Sequence, residues 1–178
     1  KSGIGLTEVL DALQLCALSP ADRSLTASKG EEEVEVTADA AGILVAQVFK
    51  TRVDPFVQKL SFIRIFSGSL KKDQSVKIST ARKPIKMGQL LVVQADQTEQ
   101  VASAGPGDIV AVAKMEELAT STSIGEANLP NIQFPKPMVG LAVSPSARGD
   151  ETKLSTALAK VVDEDPTFLL NRDAQTKE

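Results

Sequence analysis

The sequence predicts a mainly β fold with some α+β character: a short N-terminal helix, a small closed barrel and a β-α-β unit. Between residues 42 and 124, short aliphatic and β-branched segments alternate with turn signals, which is typical of a small barrel. Helical patterns lie on either side of this region. With 42% hydrophobic but only 3% aromatic residues, the core is expected to be aliphatic.

The N-terminal helix is predicted over residues 4–17, because apolar residues recur there at helical spacing. Its apolar positions are Leu6, Val9, Leu10 and Leu13. We expect Thr7 to help cap its start, Pro20 to stop it, and Cys16 to be a small buried side chain within it. Residues 21–41 are polar, so we expect a linker, or an exposed edge with one short strand, and no chemistry there.

The barrel is predicted over residues 42–130. Its strands are expected at residues 43–49, 60–66, 75–78, 87–93 and 109–113. In the second of these strands, one face carries Ser61, Ile63, Ile65 and Ser67, and the other carries Leu60, Phe62, Arg64 and Phe66. Because both faces carry apolar residues, we expect a neighbouring domain to cover Phe62 and Phe66. Arg64 is expected to pair with a carboxylate, since an unpaired buried charge is costly.

A third region begins at a cluster of prolines and is predicted over residues 131–178. A strand at residues 139–143, a helix at 150–162 and a second strand at 167–170 would form a β-α-β unit. One such unit rarely buries both faces of its sheet, so we expect about half of this domain to be missing. The uncovered apolar face predicts self-association or domain swapping through residues 138–178, because burial of apolar surface is favourable.

The composition excludes several kinds of catalytic site. The chain has no His and a single Cys, which leaves no His-based triad, no His-ligated zinc site and no thiolate cluster. No Walker A pattern occurs. We therefore expect the chain itself to be no enzyme and to hold no cofactor or metal. The lack of a long apolar run and of a cysteine pair predicts a cytoplasmic protein without a membrane segment.

Charge is distributed unevenly along the chain, whose net charge is −3. Residues 51–115 carry 10 Lys and Arg against 5 Asp and Glu, whereas residues 1–50 carry 4 against 8 and residues 116–178 carry 6 against 10. A basic centre between acidic flanks indicates either an RNA-facing surface or ordinary solvated faces.

Two charged clusters are open to a functional interpretation. Three basic residues flank a proline in a predicted loop, namely Arg82, Lys83 and Lys86. They are either solvated or phosphate contacts. Three carboxylates follow one another at a predicted helix end, namely Asp163, Glu164 and Asp165. We interpret them as a solvated acidic corner rather than a cation site.

Several motifs, in this order along the chain, resemble elongation factor G, the ribosomal translocation GTPase. D-P-F at residues 54–56 and E-D-P-T-F at residues 164–168 are specific to that family, and A-G-P-G-D-I at residues 104–109 is similar to one of its strand entries. The motif residues are Asp54, Pro55, Phe56, Arg64, Gly68, Gly107, Asp108, Asp165, Pro166 and Phe168. The resemblance covers nearly the whole chain, which is identified as a central fragment of that factor or of a paralogue.

The resemblance implies a role for each region. Residues 1–20 would be the last helix of a GTPase domain, residues 42–130 the translation-factor β-barrel called domain II, and residues 131–178 part of the ferredoxin-like domain III. Domain II would dock on the GTPase domain and on small-subunit ribosomal RNA, and domain III would relay the nucleotide state. GTP and Mg²⁺ would bind only in the longer protein. The implied RNA contacts are Lys71, Lys72, Arg82, Lys83 and Lys86.

The chain departs from the family pattern at two places. Gln58 stands where the family has Gly, and residues 120–124 read T-S-T-S-I where it has T-G-D-T-L. Both departures favour a paralogue and put the geometry of the last barrel turn in question. Alternatives are the same domains in a tetracycline-resistance ribosomal protection protein or a peptide-release-factor GTPase, or a free-standing β-barrel adaptor that binds protein.

Overall fold

The centre of the fold is a six-stranded antiparallel sheet that forms most of a β-barrel. The computed structural model describes residues 3–54, 58–145, 147 and 149–171. The helices are α1 Leu6–Cys16 and α2 Glu151–Glu164, with a short 3₁₀ turn at Pro20–Asp22. The strands are β1 Leu25–Lys29, β2 Glu32–Val36, β3 Val45–Asp54, β4 Gln58–Ser67, β5 Leu70–Lys71, β6 Ser75–Val76, β7 Ile85–Lys86, β8 Leu90–Gln94, β9 Gln97–Val101, β10 Ser103–Ala104, β11 Ile109–Ala113 and β12 Ser123–Gly125. The sheet order is β12-β3-β4-β11-β8-β9, and the remaining strands form the pairs β1-β2, β5-β10 and β6-β7.

The N-terminal helix forms close to its predicted bounds. It begins after Gly5, whose φ of 80° is left-handed, and no side chain caps it. Thr7 therefore lies inside the helix, and the expected capping role is wrong. No residue of α1 is buried, and Cys16 is exposed instead of buried as expected. The periodic pattern predicted α1 correctly. In the described part of the chain, however, no other segment covers the apolar face of this helix. Neither described helix is long and apolar enough to span a membrane.

The region from residue 21 to residue 41 is not mainly a linker, because β1 and β2 form a regular antiparallel hairpin there. Gly30 turns the chain at φ 69°. The inward residues Ala27 and Val36 pack with Val45, Ala127 and Leu129 in a second, smaller core. Alternation of apolar and charged residues in β2 favours this strand. The glutamates that suggested a linker occupy its solvent side.

The inner face of β4 is completely buried, as the alternation in its sequence predicted. Ser61, Ile63 and Ile65 are fully buried, whereas Phe62, Arg64 and Phe66 on the opposite face are only half-buried. β4 pairs with β3 on one side and with β11 on the other. The main core closes around apolar side chains from the barrel strands and the loops between them, among them Leu70, Met87, Leu90, Val112, Leu118 and Ile124. The predicted aliphatic core is confirmed.

The strand predictions differ in accuracy. β11 has its predicted bounds, and β4 extends beyond its own at both ends. β3 begins two residues later than expected and ends five residues later, β8 begins three residues later, and β6 covers only the first two residues of the strand predicted at 75–78. The polar β9 was missed because its sequence, Q-T-E-Q-V, has no apolar face. The D-P-F motif includes Pro55 and Phe56, which lie outside the described residues. The same holds for the side chains of Asp54 and Gln58.

The third region contains the predicted helix but neither of its predicted strands. Residues 139–143 and 167–170 pair with no other segment among the described residues. Met138 is 95% exposed and Leu141 is 85% exposed. These strand predictions are wrong for the described structure because an isolated extended segment has no partner for its backbone groups. The broader fold class, a mainly β chain with a barrel and a small α/β part, is confirmed.

Two glycines allow the chain to pass close to Leu44. Gly68 has φ 72°, and a Cβ at that position would lie 2.6 Å from the Leu44 Cα. Gly125 has φ 116°, and its Cβ would lie 1.9 Å from the Leu44 carbonyl oxygen. Both contacts are with backbone atoms that cannot rotate away. The family-motif residue Gly68 thus has a steric role in closing the barrel.

We predict that Gly125→Ala destabilises the chain by about 3 kcal/mol or more, because the added methyl group overlaps the backbone at Leu44. The matched control is Gly30→Ala. Gly30 also has a positive φ but nothing lies within 4 Å of its added Cβ. The control is expected to lose only about 1–2 kcal/mol, the cost of the left-handed backbone alone. Urea unfolding of both variants measures the difference, and equal losses would contradict the steric account.

Candidate functional site

Three of the five implied RNA-contacting cations lie around one tight turn between β5 and β6. Asp73 turns the chain at φ 61°, and its N–H donates to the Met87 carbonyl at 2.9 Å. Lys72 donates its backbone N–H to the Ala102 carbonyl at 3.2 Å. The Lys86 Nζ lies 3.1 Å from the Asp73 Oδ1. Lys71, Lys72 and Lys86 are therefore brought together by strand pairing, and all three are exposed.

The other two cations, Arg82 and Lys83, lie in the loop between β6 and β7 and are exposed. The Thr80 hydroxyl next to them donates to the Glu117 carbonyl at 3.3 Å, and Ile78 forms a bridge with Ile124. The loop thus runs towards β12, away from the turn at Asp73. The five cations form two groups at opposite ends of the β6-β7 hairpin rather than a single cluster.

Sequence reasoning missed a further cation in the same segment. Lys77 lies at the end of β6, and its Nζ lies 2.9 Å from the Glu126 Oε2. Both side chains are well exposed, so the pair contributes little to stability. Lys77 is thus a further exposed cation of this segment, and it is already paired with a carboxylate.

The outer face of β4 borders a surface groove with a volume of about 390 Å³. Its lining is mostly apolar and includes Pro20, Leu25, Phe49, Arg64, Phe66 and Ile109. Arg64 has no carboxylate within 4.0 Å among the described residues, so its expected ion pair is wrong for this structure. Half-burial leaves its guanidinium partly in water, which removes the need for a charged partner. The rings of Phe49 and Phe62 lie 6.4 Å apart on the same face.

The G-P-G-D motif closes one edge of this groove. The Gly107 N–H donates to the Ile65 carbonyl at 2.8 Å, and the Ile65 N–H donates to the Asp108 carbonyl at 3.1 Å. The Asp108 side chain accepts from the Gly105 N–H at 2.8 Å. A Cβ on Gly107, which has φ 92°, would lie 2.7 Å from Pro20. The motif residues Gly107 and Asp108 therefore shape the loop and seat the N-terminal segment on the barrel.

The chain makes a left-handed turn within the departure at residues 120–124. Ser121 takes φ 73°, in the place where the family motif has Gly. Its Oγ accepts from the Ile132 N–H at 3.1 Å, and its carbonyl accepts from the Gln47 Nε2 at 3.4 Å. These bonds hold a serine in a conformation that glycine adopts more easily. Thr122, which follows, buries a hydroxyl that has no partner among the described residues.

The three carboxylates at the end of α2 each have a protein partner. The Asp163 Oδ1 lies 3.7 Å from the Lys59 Nζ, and the Glu164 carboxylate accepts from the Val53 N–H. The Asp165 Oδ1 accepts from both the N–H and the hydroxyl of Thr167, at 2.8 and 2.6 Å. In the described part of the chain, no group of three or more carboxylates or thiols is arranged to hold a metal ion. All three residues are exposed, as expected of a solvated acidic corner, and each also contacts a protein group.

The motif E-D-P-T-F builds a turn around Asp165. The hydroxyl of Thr167, followed by its backbone N–H, lowers the pKa of Asp165 below its ordinary value. Phe168 donates its N–H to the Asp165 carbonyl at 3.0 Å and is half-buried. Pro166 borders a small cleft against Ile132 and Phe134. These motif residues end α2 and direct the chain back towards the barrel.

We predict that the pKa of Asp165 rises towards its ordinary value in Thr167→Val, which removes the hydroxyl donor, but stays low in the matched Thr167→Ser. Because the folded pKa is depressed, the stability that this turn contributes is present above the unfolded pKa and is lost as the pH falls through the folded pKa. Carbonyl-detected NMR titration of Asp165 measures the shift. An unchanged midpoint in Thr167→Val would contradict the assigned cause.

Comparisons with known proteins agree with this geometry. Residues 44–127 match the family model of elongation factor G domain 2, and residues 134–178 match that of elongation factor G, domain III. A crystal structure of a protein from Thermus thermophilus is similar, with a TM-score of 0.74 and 27% sequence identity over 97% of this chain. The chain spans 24% of the length of that protein. Both matched domains are non-catalytic parts of a translational GTPase. The resemblance found in the sequence is confirmed, and the chain belongs to the elongation factor G family, of which it carries domain II followed by domain III.

Proposed function

We propose that this chain provides the ribosome-docking and interdomain-relay part of a translational GTPase. The observation that carries the proposal is the succession of two elongation factor G domains, with an exposed basic surface on the first. That surface comprises Lys71, Lys72, Arg82, Lys83 and Lys86. Its partner is the phosphate backbone of small-subunit ribosomal RNA, in the cytoplasm. GTP hydrolysis with Mg²⁺ belongs to a GTPase domain of the same longer protein and not to these two domains.

The electrostatics of the barrel support a phosphate partner. Residues 51–115 carry 10 Lys and Arg against 5 Asp and Glu. The Lys86–Asp73 pair has side chains that are 71% and 58% exposed, so it is weak and easily exchanged for a phosphate contact. The two groups of cations lie at the two ends of one hairpin. An RNA backbone carries phosphate charges at intervals along its length, so each group can contact a different phosphate. The low aromatic content argues against recognition by base stacking.

The groove on the outer face of β4 supports a second contact, with the GTPase domain. Its lining carries Phe49, Phe66 and the half-buried Arg64. An apolar surface of this kind favours a covering protein domain over solvent. A ribosomal protection protein or a peptide-release-factor GTPase with the same two domains would use the barrel in the same way, so these remain alternative identities for the longer protein. A free-standing adaptor is less favoured, because it does not account for domain III.

We predict that the chain co-sediments with purified small ribosomal subunits at low salt, and that Arg82→Ala/Lys83→Ala/Lys86→Ala weakens this binding. Each cation that contacts phosphate releases bound counterions. Loss of three contacts should therefore reduce the slope of log K against log[salt] by about 2. A salt series with the wild-type chain and the triple variant measures both effects.

The matched control is Lys29→Ala/Lys136→Ala/Lys160→Ala, which removes the same charge from exposed positions elsewhere. If the control weakens binding as much as the triple variant does, net charge explains the binding and the docking surface is wrong. If the wild-type chain does not sediment with the subunits at any salt concentration, these two domains do not dock on their own.

We also propose that the chain self-associates through residues 138–178. No residue of α2 is buried, and Val139 and Leu169 are 79% and 65% exposed. A second copy would cover part of this apolar surface.

Sedimentation velocity over a concentration series tests the self-association. We predict a concentration-dependent increase in mass that is reduced in Met138→Ser/Leu141→Ser. The matched control Leu15→Ser/Leu18→Ser changes exposed leucines outside this region and should leave the association unchanged. A monomer at all concentrations, with residues 138–171 protected from hydrogen exchange, would contradict the proposal.

A further inference from the structure

Lys59 is a buried cation at the junction between the barrel and α2. Its side chain is only 6% exposed, although it lies on β4 close to the end of the β3-β4 hairpin. Lysine is almost never buried this deeply unless it is paired. Its Nζ donates to the Glu116 carbonyl at 3.0 Å and lies 3.6 Å from the Glu116 Oε2. The third oxygen near the ammonium group is the Asp163 Oδ1 at 3.7 Å, an ion-pair contact that comes from α2.

Two of the three oxygens around the Lys59 ammonium group belong to the barrel itself. Glu116 lies in the loop after β11, and that loop is tied to β4 because the Lys114 N–H donates to the Lys59 carbonyl at 2.8 Å. Within the same loop, the Leu118 N–H donates to the Met115 carbonyl at 3.3 Å. The position of the ammonium group is therefore determined by the barrel. It keeps the Glu116 oxygens whether or not Asp163 is present.

The end of α2 is electrostatically unfavourable without such a partner. The C-terminal end of a helix carries partial negative charge, so carboxylates there are disfavoured. α2 ends with Asp163 and Glu164 and has no basic residue in its last turn. The barrel offers a cation to Asp163 and a backbone N–H, that of Val53, to Glu164. Both contacts compensate the negative end of the helix.

The junction combines polar contacts with partial apolar packing. No residue of α2 is fully buried, although Leu154 and Leu158 are half-buried, and the Asp163 side chain is 43% exposed. Apolar burial, the main force that makes domain contacts permanent, is thus only partial here. An ion pair open to solvent is screened by salt and contributes modestly. Such a contact holds two parts together but releases them readily.

We propose that Lys59 is a releasable electrostatic latch that holds the C-terminal end of α2 on the barrel. When α2 leaves, Lys59 exchanges Asp163 for water and retains Glu116, so the barrel core is undisturbed. The latch goes beyond the proposed function, because it concerns a contact within the chain and needs no ribosome. Neutralising either partner shifts the equilibrium between docked and undocked helix by about five-fold.

The test uses the whole chain with a nitroxide spin label on α2. Cys16→Ser removes the native thiol, and Lys160→Cys provides the cysteine to which the label is attached. In the docked state the label broadens the amide signals of the barrel residues next to the helix end, including Val53 and Lys59. We expect this broadening to weaken in Lys59→Met and in Asp163→Asn, and to weaken in the wild-type background as salt is raised. Asp163→Asn lies on the helix, so it keeps the test valid if Lys59→Met disturbs the barrel.

Two matched controls separate the latch from a general effect of charge. Lys50→Met removes an exposed cation from β3, and Glu151→Gln removes a carboxylate from the opposite end of α2. Both should leave the broadening unchanged. The proposal is overturned if broadening is absent in the wild-type background, is equal in all variants, or falls as much in the controls as in Lys59→Met and Asp163→Asn.

Discussion

The register of β4 between β3 and β11 is the constraint on which the rest of the structure depends. Its buried face places Ile63 and Ile65 in the core, and Ser61 on the same face donates its hydroxyl to the Leu118 carbonyl at 2.7 Å. A shift of one residue would turn these side chains to the outside and bring Phe62 and Arg64 into the core. The core has no room for this swap of the two faces, so the register of β4 is fixed. The register also determines which residues of β4 lie on its outer face.

Two contacts of β4 with other parts of the chain follow from that register. Lys59 is held next to Glu116, since its carbonyl accepts from the Lys114 N–H in the loop after β11. Ile65, further along the strand, pairs with the G-P-G-D loop, and Gly107 of that loop lies close to Pro20. One strand thus contributes both to the junction with α2 and to the groove on the outer face.

The barrel and α2 are stabilised by different forces. The barrel has an aliphatic core and close backbone approaches at Gly68 and Gly125. α2 contributes no buried residue and contacts the barrel through carboxylates. Apolar packing resists movement because any displacement opens voids, whereas ion pairs tolerate changes of distance and exchange with water. This contrast agrees with the proposal that the barrel docks and that the domain after it relays.

The sequence by itself determined the family, both helices, the central barrel strands and the two-faced pattern of β4. These features depend on local periodicity and on motifs such as E-D-P-T-F, which are visible without a neighbour. It did not predict the hairpin of β1 and β2, the division of the five cations into two groups, the partner of Lys59 or the exposure of Cys16. Only the tertiary structure decided these, because each depends on which distant segment packs against the residue. Charge and polarity show that a side chain needs a partner, but only the folded chain shows whether it finds one in another strand, in a helix end or in water.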